Sequence, residues 1–328
     1  MKTANTRSRL SVVGIAVAAS ALLAACDGGA SGAESYPDKN ITVIVPVPAG
    51  SSTDLSTRIV TPCLSEELDK KILVENRDGG SGAVGNAYFS QAAPDGYTLV
   101  STTAANAVLP GILEESVPFS AEDFTPLGTI GEAPIVMLVA PDSPAEKATD
   151  LLSPDRDATL LIGVPGATSV PGVVVNGLIA NNDLNAETVP FDGNGNTVQA
   201  LRSGEVDAIF VSADTGVTLP AIDGEEVKAL AVAVDEEVSY LPEVPTLASQ
   251  GFTEVPYAMS FWFLAAQPDV DQEIVEKVSA AIETCMDDEN VQERLGETAV
   301  PESFIDGPST QSNLQDAEEE YTSVLESS

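Results

Sequence analysis

Short β-branched runs alternate with amphipathic stretches from residue 41 almost to the end of the 328-residue chain, and this alternation restricts the fold more than any other feature. ITVIVPV at 41–47 reads as a buried strand, followed by a helix over 53–68 capped by Ser52 or Thr53. KILVENR at 71–77 and a helix over 83–93 repeat the unit, and a third strand follows at 97–102. Further strands are predicted at 134–140, 158–164, 206–212, 227–234 and 260–266, with helices near 169–181, 194–203, 271–287 and 309–326. The pattern predicts an α/β architecture with parallel sheets in a chain long enough for two domains. Such sheets bind ligands where strand-to-helix loops meet a crevice, and between two domains that crevice is the default site.

Four such loops carry the residue types that bind anions. The first holds Ala49, Gly50, Ser51, Ser52, Thr53 and Asp54 just ahead of a helix. Exposed backbone N–H groups and the positive end of the helix dipole suit an anion there, and the hydroxyls add donors. Asp54 lies four residues before Arg58, so the two are expected to pair along the helix. A capped helix without a ligand is the other reading of this loop. Gly80, Gly82 and Gly85 fit G-x-G-x-x-G, but they follow the second strand, and Ala105 and Asn106 stand where a dinucleotide site needs an acid. A glycine turn starting a closely packed helix accounts for them better. Gly166, Ala167, Thr168 and Ser169 form the third loop, and 190–196, with Gly193, the fourth. Both read equally as plain turns.

The N-terminus sets the compartment. Residues 1–9 are basic and polar, and 10–25 are apolar and too short to span a ~30 Å hydrocarbon core comfortably. The run ends at Leu23, Ala24, Ala25 and Cys26 and resembles a bacterial lipobox, in which the cysteine is lipidated and becomes the new N-terminus. Residues 1–25 are thus a lipoprotein signal peptide and 26–35 a flexible Gly/Ser/Ala tether, which places the body outside the cytoplasm, anchored to the cell membrane by its lipid. Cys63 and Cys285 remain as a candidate disulfide in an oxidising compartment, although nothing local shows that they meet.

Charge and composition exclude several classes. The chain has 51 acidic residues, 14 basic ones and no histidine. Removing Lys2, Arg7 and Arg9 with the signal leaves 11 basic side chains against 51 acidic, a formal charge of about −40 that repels nucleic acid and anionic headgroups. Without histidine there is no Ser-His-Asp triad, Cys-His pair or imidazole metal site. Two thiols without C-x-x-C argue against zinc, and the acids form no calcium-loop spacing. No cofactor, metal or catalytic residue is expected, and no pattern nominates a carboxylate pair for hydrolysis.

Read in order, several segments resemble the substrate-binding proteins of tripartite tricarboxylate transporters, the Bug family. They are Tyr36 and Pro37 with ITVIVPV, PAGSSTD and Arg58; V-E-N-R from Val74; P-D-G-Y-T-L from Pro94; V-P-F-x-G ending at Gly193; S-G-E-V-D from Ser203; and L-P-E-V-P-T-L from Leu241. The resemblance spans about 36–310 and implies a type II periplasmic-binding fold of two α/β domains with a cleft between them: 36–138 with 258–328, and 139–257. It implies a monomer that captures a small carboxylate for membrane permease subunits, with a sensor presenting its ligand to a membrane signalling partner as the rival. It also implies that the loops at 49–54 and 166–169 grip the carboxylate, with Thr103 and Asn106 lining one wall. Where the family has a second loop glycine this chain has Ser51, which is strained if that position needs positive φ and is otherwise a further donor.

Overall fold

The computed structural model describes residues 35–327 apart from 115, 168, 215, 235, 236, 253, 254, 256, 257, 297 and 302. The expected signal peptide, Cys26 as the expected lipidation site, the expected tether up to residue 34 and Thr168 lie outside the described residues. The chain divides into two units, Met1–Tyr36 and Pro37–Ser328, and the sheets and helices below all belong to the second.

Strand β1 (Ile41–Val45) is the first buried run, and four of its apolar side chains are fully enclosed. It lies in parallel between β2 (Ile72–Asn76) and β3 (Thr98–Thr103), so helix α1 (Ser52–Glu67) and helix α2 (Ala83–Ser90) are the crossovers that return the chain to the same end of the sheet. A third helix, α3 (Ala104–Leu113), follows β3 directly, with Thr103 capping it. The second half repeats the scheme: β5 (Leu160–Val164) pairs in parallel with β6 (Ala186–Pro190) and β7 (Ala208–Ser212), with α4 (Val170–Asn181) and α5 (Gly193–Ser203) as crossovers. Short α6 (Thr218–Asp223) leads to β8 (Lys228–Val232).

One long strand joins the halves. β4 (Thr125–Val139) runs antiparallel to β9 (Met259–Ala266) from Thr125 to Pro134, then antiparallel to β7 and β8 from Ile135 onward. The sheet order is β2-β1-β3-β9-β4-β7-β5-β6, with β8 also on β4. The sequence placed only 134–140 in a strand here. Pro126, Gly128 and Gly131 hid the rest, and the structure tolerates them because the β4–β9 register shifts beside them. β6 was missed because it is an edge strand with no fully buried residue.

The chain ends with α7 (Gln272–Met286), α8 (Glu289–Leu295) and α9 (Gly307–Ser327), which return to the N-terminal half. Leu314, Ala317 and Tyr321 of α9 are fully buried, and the Ser279 hydroxyl of α7 donates to the Leu127 carbonyl at 2.6 Å. Cys63 of α1 and Cys285 of α7 form a disulfide with Cα atoms 5.7 Å apart, joining segments separated by 222 residues. One core of buried side chains runs from Ile44 and Val100 through Ile135 and Met137 to Ile162 and Phe210. No helix among the described residues is long and apolar enough to cross a membrane.

Several quoted motifs are scaffold. The Tyr97 hydroxyl of P-D-G-Y-T-L donates to Asp38 at 2.6 Å and accepts the Asp38 N–H at 2.9 Å, and Lys39 lies over its ring. Asp207, which ends S-G-E-V-D, accepts the Leu161 N–H at 2.9 Å and ties the start of β7 to β5.

Closing so long a loop in the unfolded chain makes the disulfide worth about 5 kcal/mol. The Cys63→Ala/Cys285→Ala double variant should therefore lose about that much stability in urea unfolding, with reductant having no further effect on it. A loss below about 1 kcal/mol would show that α1 and α7 are held by packing alone.

Candidate functional site

Two helix starts build the site. After β1 the chain turns through Gly50, at φ +87°, into Ser51, at φ −69° and ψ 163°. The left-handed conformation thus falls on Gly50, and serine at 51 carries no strain. Ser51 caps α1 by accepting the Asp54 N–H at 3.4 Å.

Asp54 holds this turn from behind. Its carboxylate is 2% exposed and accepts from the Gly50 N–H at 2.8 Å, the Asn76 amide at 2.8 Å and Arg58 Nε at 3.0 Å. Arg58 in turn donates to the Asn76 side-chain oxygen at 2.8 Å, and Asn76 donates to the Val47 carbonyl at 3.1 Å. The end of β1, the start of α1 and the end of β2 are therefore one network. Burial on its own raises the Asp54 pKa, but hydrogen bonds from Arg58, Gly50 and Asn76, with the Arg58 charge, outweigh it and hold the carboxyl below its ordinary value.

The second helix start is that of α5. Asp192, before it, makes no side-chain capping bond, so the first N–H groups of α5 have no side-chain partner there. Asn194 donates to Asp214 at 2.5 Å. Asp214, at the end of β7, also accepts the Gly216 and Val217 N–H groups, each at 2.8 Å, and the Thr218 hydroxyl at 3.0 Å.

Both starts open on one cleft of about 560 Å³. Gly50, Ser51 and Ser52 line it from the first half, and Gly193, Asn194 and Gly195 from the second, with Asp214, Gly216 and Val217 beside them. The flank of α1 (Leu55, Ser56, Ile59), Trp262 of β9 and the end of α8 with Arg294, Leu295 and Ala299 complete the lining.

The other expected site residues are placed elsewhere. Ala49 is exposed on the turn, while Thr53 and Asp54 are buried behind the cleft wall. Thr103 caps α3 by accepting the Asn106 N–H at 3.1 Å, and the Asn106 carbonyl accepts the Asn86 amide at 2.7 Å. Ser169 caps α4, accepting the Gly172 N–H at 3.2 Å and donating to the Gly166 carbonyl at 2.7 Å. Gly166, Ala167 and Ser169 do not line the cleft, but the Gly193 N–H reaches the neighbouring Pro165 carbonyl at 3.3 Å. Packing accounts for the G-x-G-x-x-G run: a side chain at Gly85 would meet Pro46 at 2.6 Å. Sequence reasoning did not single out Asn194, Asp214, Trp262 or Arg294. Asn194 lay within a suspected loop, but nothing local distinguishes Arg294 from other surface basics.

Comparison with known proteins gives one family. The sequence model of the tripartite tricarboxylate transporter family receptor, TctC, matches residues 56–326. A protein encoded in the TAR-I ttuE–ttuC' intergenic region of Agrobacterium vitis is 30% identical over 267 residues, covering 80% of this chain and 75% of the relative. Protein BugT of Bordetella pertussis is 26% identical over 305 residues, 92% of this chain and 88% of BugT. The solved structure of MatC from Rhodopseudomonas palustris with bound malate is 25% identical and superposes with a TM-score of 0.74 over 88% of this chain and 100% of MatC.

Because the Asp54 carboxyl is held below its ordinary 3.8 in the folded chain, its contribution to stability is full above that value and is lost as pH falls through the folded value. Asp54→Asn should cost about 2 kcal/mol at pH 7. In urea unfolding at a series of pH values, the gap from wild type should shrink below pH 4. A gap constant with pH would remove the charge of Asp54 from the account.

Proposed function

The chain belongs to the tripartite tricarboxylate transporter receptor family, and we propose that its cleft captures a small organic carboxylate outside the cytoplasm for delivery to membrane permease subunits. The fold is that of the periplasmic solute-binding proteins, and the family is one of receptors. The observation that carries the ligand class is the meeting of two helix starts, at Gly50–Ser52 positions 50–52 and at positions 193–195, in one cleft. Backbone N–H groups there favour negative charge, and each charge-assisted hydrogen bond to a carboxylate contributes roughly 1.5–3 kcal/mol. Three or four offset the cost of dehydrating it. Malate, held by the related MatC, belongs to this ligand class.

The rest of the reading follows from this site. Ser51 and Ser52 supply hydroxyl donors, the N–H groups of Ser52, Asn194 and Gly195 supply backbone, Gly50 and Gly193 shape the two turns, and Asp54 fixes the first turn without touching the solute. We assign the two lobes to 36–138 with 258–328 and to 139–257, closing about β4 and β9. Closure would bring the loop at Gly166, Ala167 and Ser169, tied to Gly193 through Pro165, toward the solute, with Thr103 and Asn106 further out on the opposite wall. Lipidation at Cys26 and the tether to residue 35 would keep the monomeric body within reach of its membrane partner.

A side chain built at Gly195 meets nothing within 4 Å, and Gly195 lines the cleft, so Gly195→Leu should fill it without disturbing the fold. In a thermal-shift screen against small carboxylates, a ligand at 100 times its Kd adds about 2.7 kcal/mol, a rise of a few degrees in Tm. Wild type should respond to at least one acid, and Gly195→Leu, equally stable alone, should not. An equal response in the variant would place the ligand elsewhere.

A further inference from the structure

Arg294 differs in its surroundings from the other arginines that meet acids. Arg58, Arg77 and Arg202 are paired with Asp54, Glu75 and Glu226. Arg156 donates to backbone carbonyls. Arg294 makes no ion pair or hydrogen bond among the described residues, in a chain with 51 acidic side chains. It is the one cationic side chain among the described residues lining the cleft. Its place in the last turn of α8 complements that helix's dipole, which suits an arginine anywhere on the surface but does not call for one facing this cleft.

We propose that Arg294 reads a second carboxylate, so that the solute is a dicarboxylate lying between the two helix starts and α8. This rests on the cleft being the carboxylate site. One acid group is served by uncharged donors in the lining, the Ser51 and Ser52 hydroxyls and the Ser52, Asn194 and Gly195 N–H groups. A second brings a further negative charge into a protein of about −40, whose field opposes it within the distance that salt leaves unscreened, about 10 Å at 0.1 M. The lining offers that group one positive partner, and a guanidinium matches a carboxylate with two parallel hydrogen bonds. Asp214, the acid in the lining, does not compete for it, because its two oxygens already accept from Asn194, Gly216, Val217 and Thr218. Besides these polar groups the lining carries Leu55, Ile59 and Leu295, an apolar surface suited to the carbon chain joining two acids. Leu55 is 46% exposed on α1, which a solute lying along that flank explains.

The test uses the mature lipidated chain in detergent and calorimetric titration with succinate and adipate, their half-amides, and butyrate and hexanoate. Wild type should bind one of the diacids at least tenfold more tightly than its half-amide. Arg294→Gln should weaken that diacid by roughly 10- to 100-fold and leave the half-amide and monoacid unchanged, with Arg294→Lys in between. Arg202→Gln, which makes the same change of net charge away from the cleft, should bind like wild type. An unchanged diacid affinity in Arg294→Gln, or an equal loss for diacid and monoacid, overturns the role of Arg294. If Gly195→Leu abolishes binding while Arg294→Gln does not weaken it, this inference alone falls. If wild type binds none of the acids, or Gly195→Leu binds them all normally, the carboxylate reading of the cleft falls and this inference with it.

Discussion

Asp54 spends its two carboxylate oxygens on the protein itself. They fix the Gly50 N–H, the Asn76 amide and the Arg58 guanidinium, and so set the direction in which the start of α1 faces. A helix start binds an anion well only when its N–H groups are held in place before the ligand arrives, since ordering them afterwards would subtract from affinity. The cost of burying Asp54 is offset by these hydrogen bonds and by the Arg58 charge, which keep it ionised. With the acid committed behind the wall, the cleft side of the turn keeps backbone and hydroxyl donors.

Much of the scaffold was legible from the sequence because it follows from periodicity. β1, β2, β3, β5 and β7 and most of the long helices fall where buried runs and amphipathic stretches put them. β4 was half hidden because proline and glycine read as breaks when a strand is considered alone, whereas here register shifts against β9 absorb them. The site was legible in part for the same reason. Gly50, Ser51, Ser52 and Gly193 sit at strand-to-helix turns, which sequence marks clearly, and line the cleft. Trp262 and Arg294 come from a crossover strand and a C-terminal helix, brought to the cleft by a chain return that no local pattern encodes. Asp54 was expected among the residues that grip the ligand, whereas the fold turns its carboxylate inward onto Gly50, Arg58 and Asn76.

The charge of the molecule and the chemistry of its cleft point in opposite directions. With 51 acidic side chains against 14 basic ones, the molecule repels an anion at distance, and salt confines that repulsion to about 10 Å at 0.1 M. Inside the cleft the balance reverses through aligned N–H groups on two helices and, in the reading proposed here, one unpaired guanidinium. The acidic shell then slows encounter without deciding final affinity, which depends on contacts made inside the cleft.

The central claim is that backbone N–H groups at the two helix starts hold the solute carboxylate, and amide NMR of the isotope-labelled protein tests it most directly. On titration with a diacid such as malate, the amides of Ser52, Asn194 and Gly195 should shift first and furthest, downfield as hydrogen bonds to an anion require. Saturating shifts centred elsewhere, for example in the shallow groove at Gly80, Ser81 and Leu113 with these amides unmoved, would contradict the account.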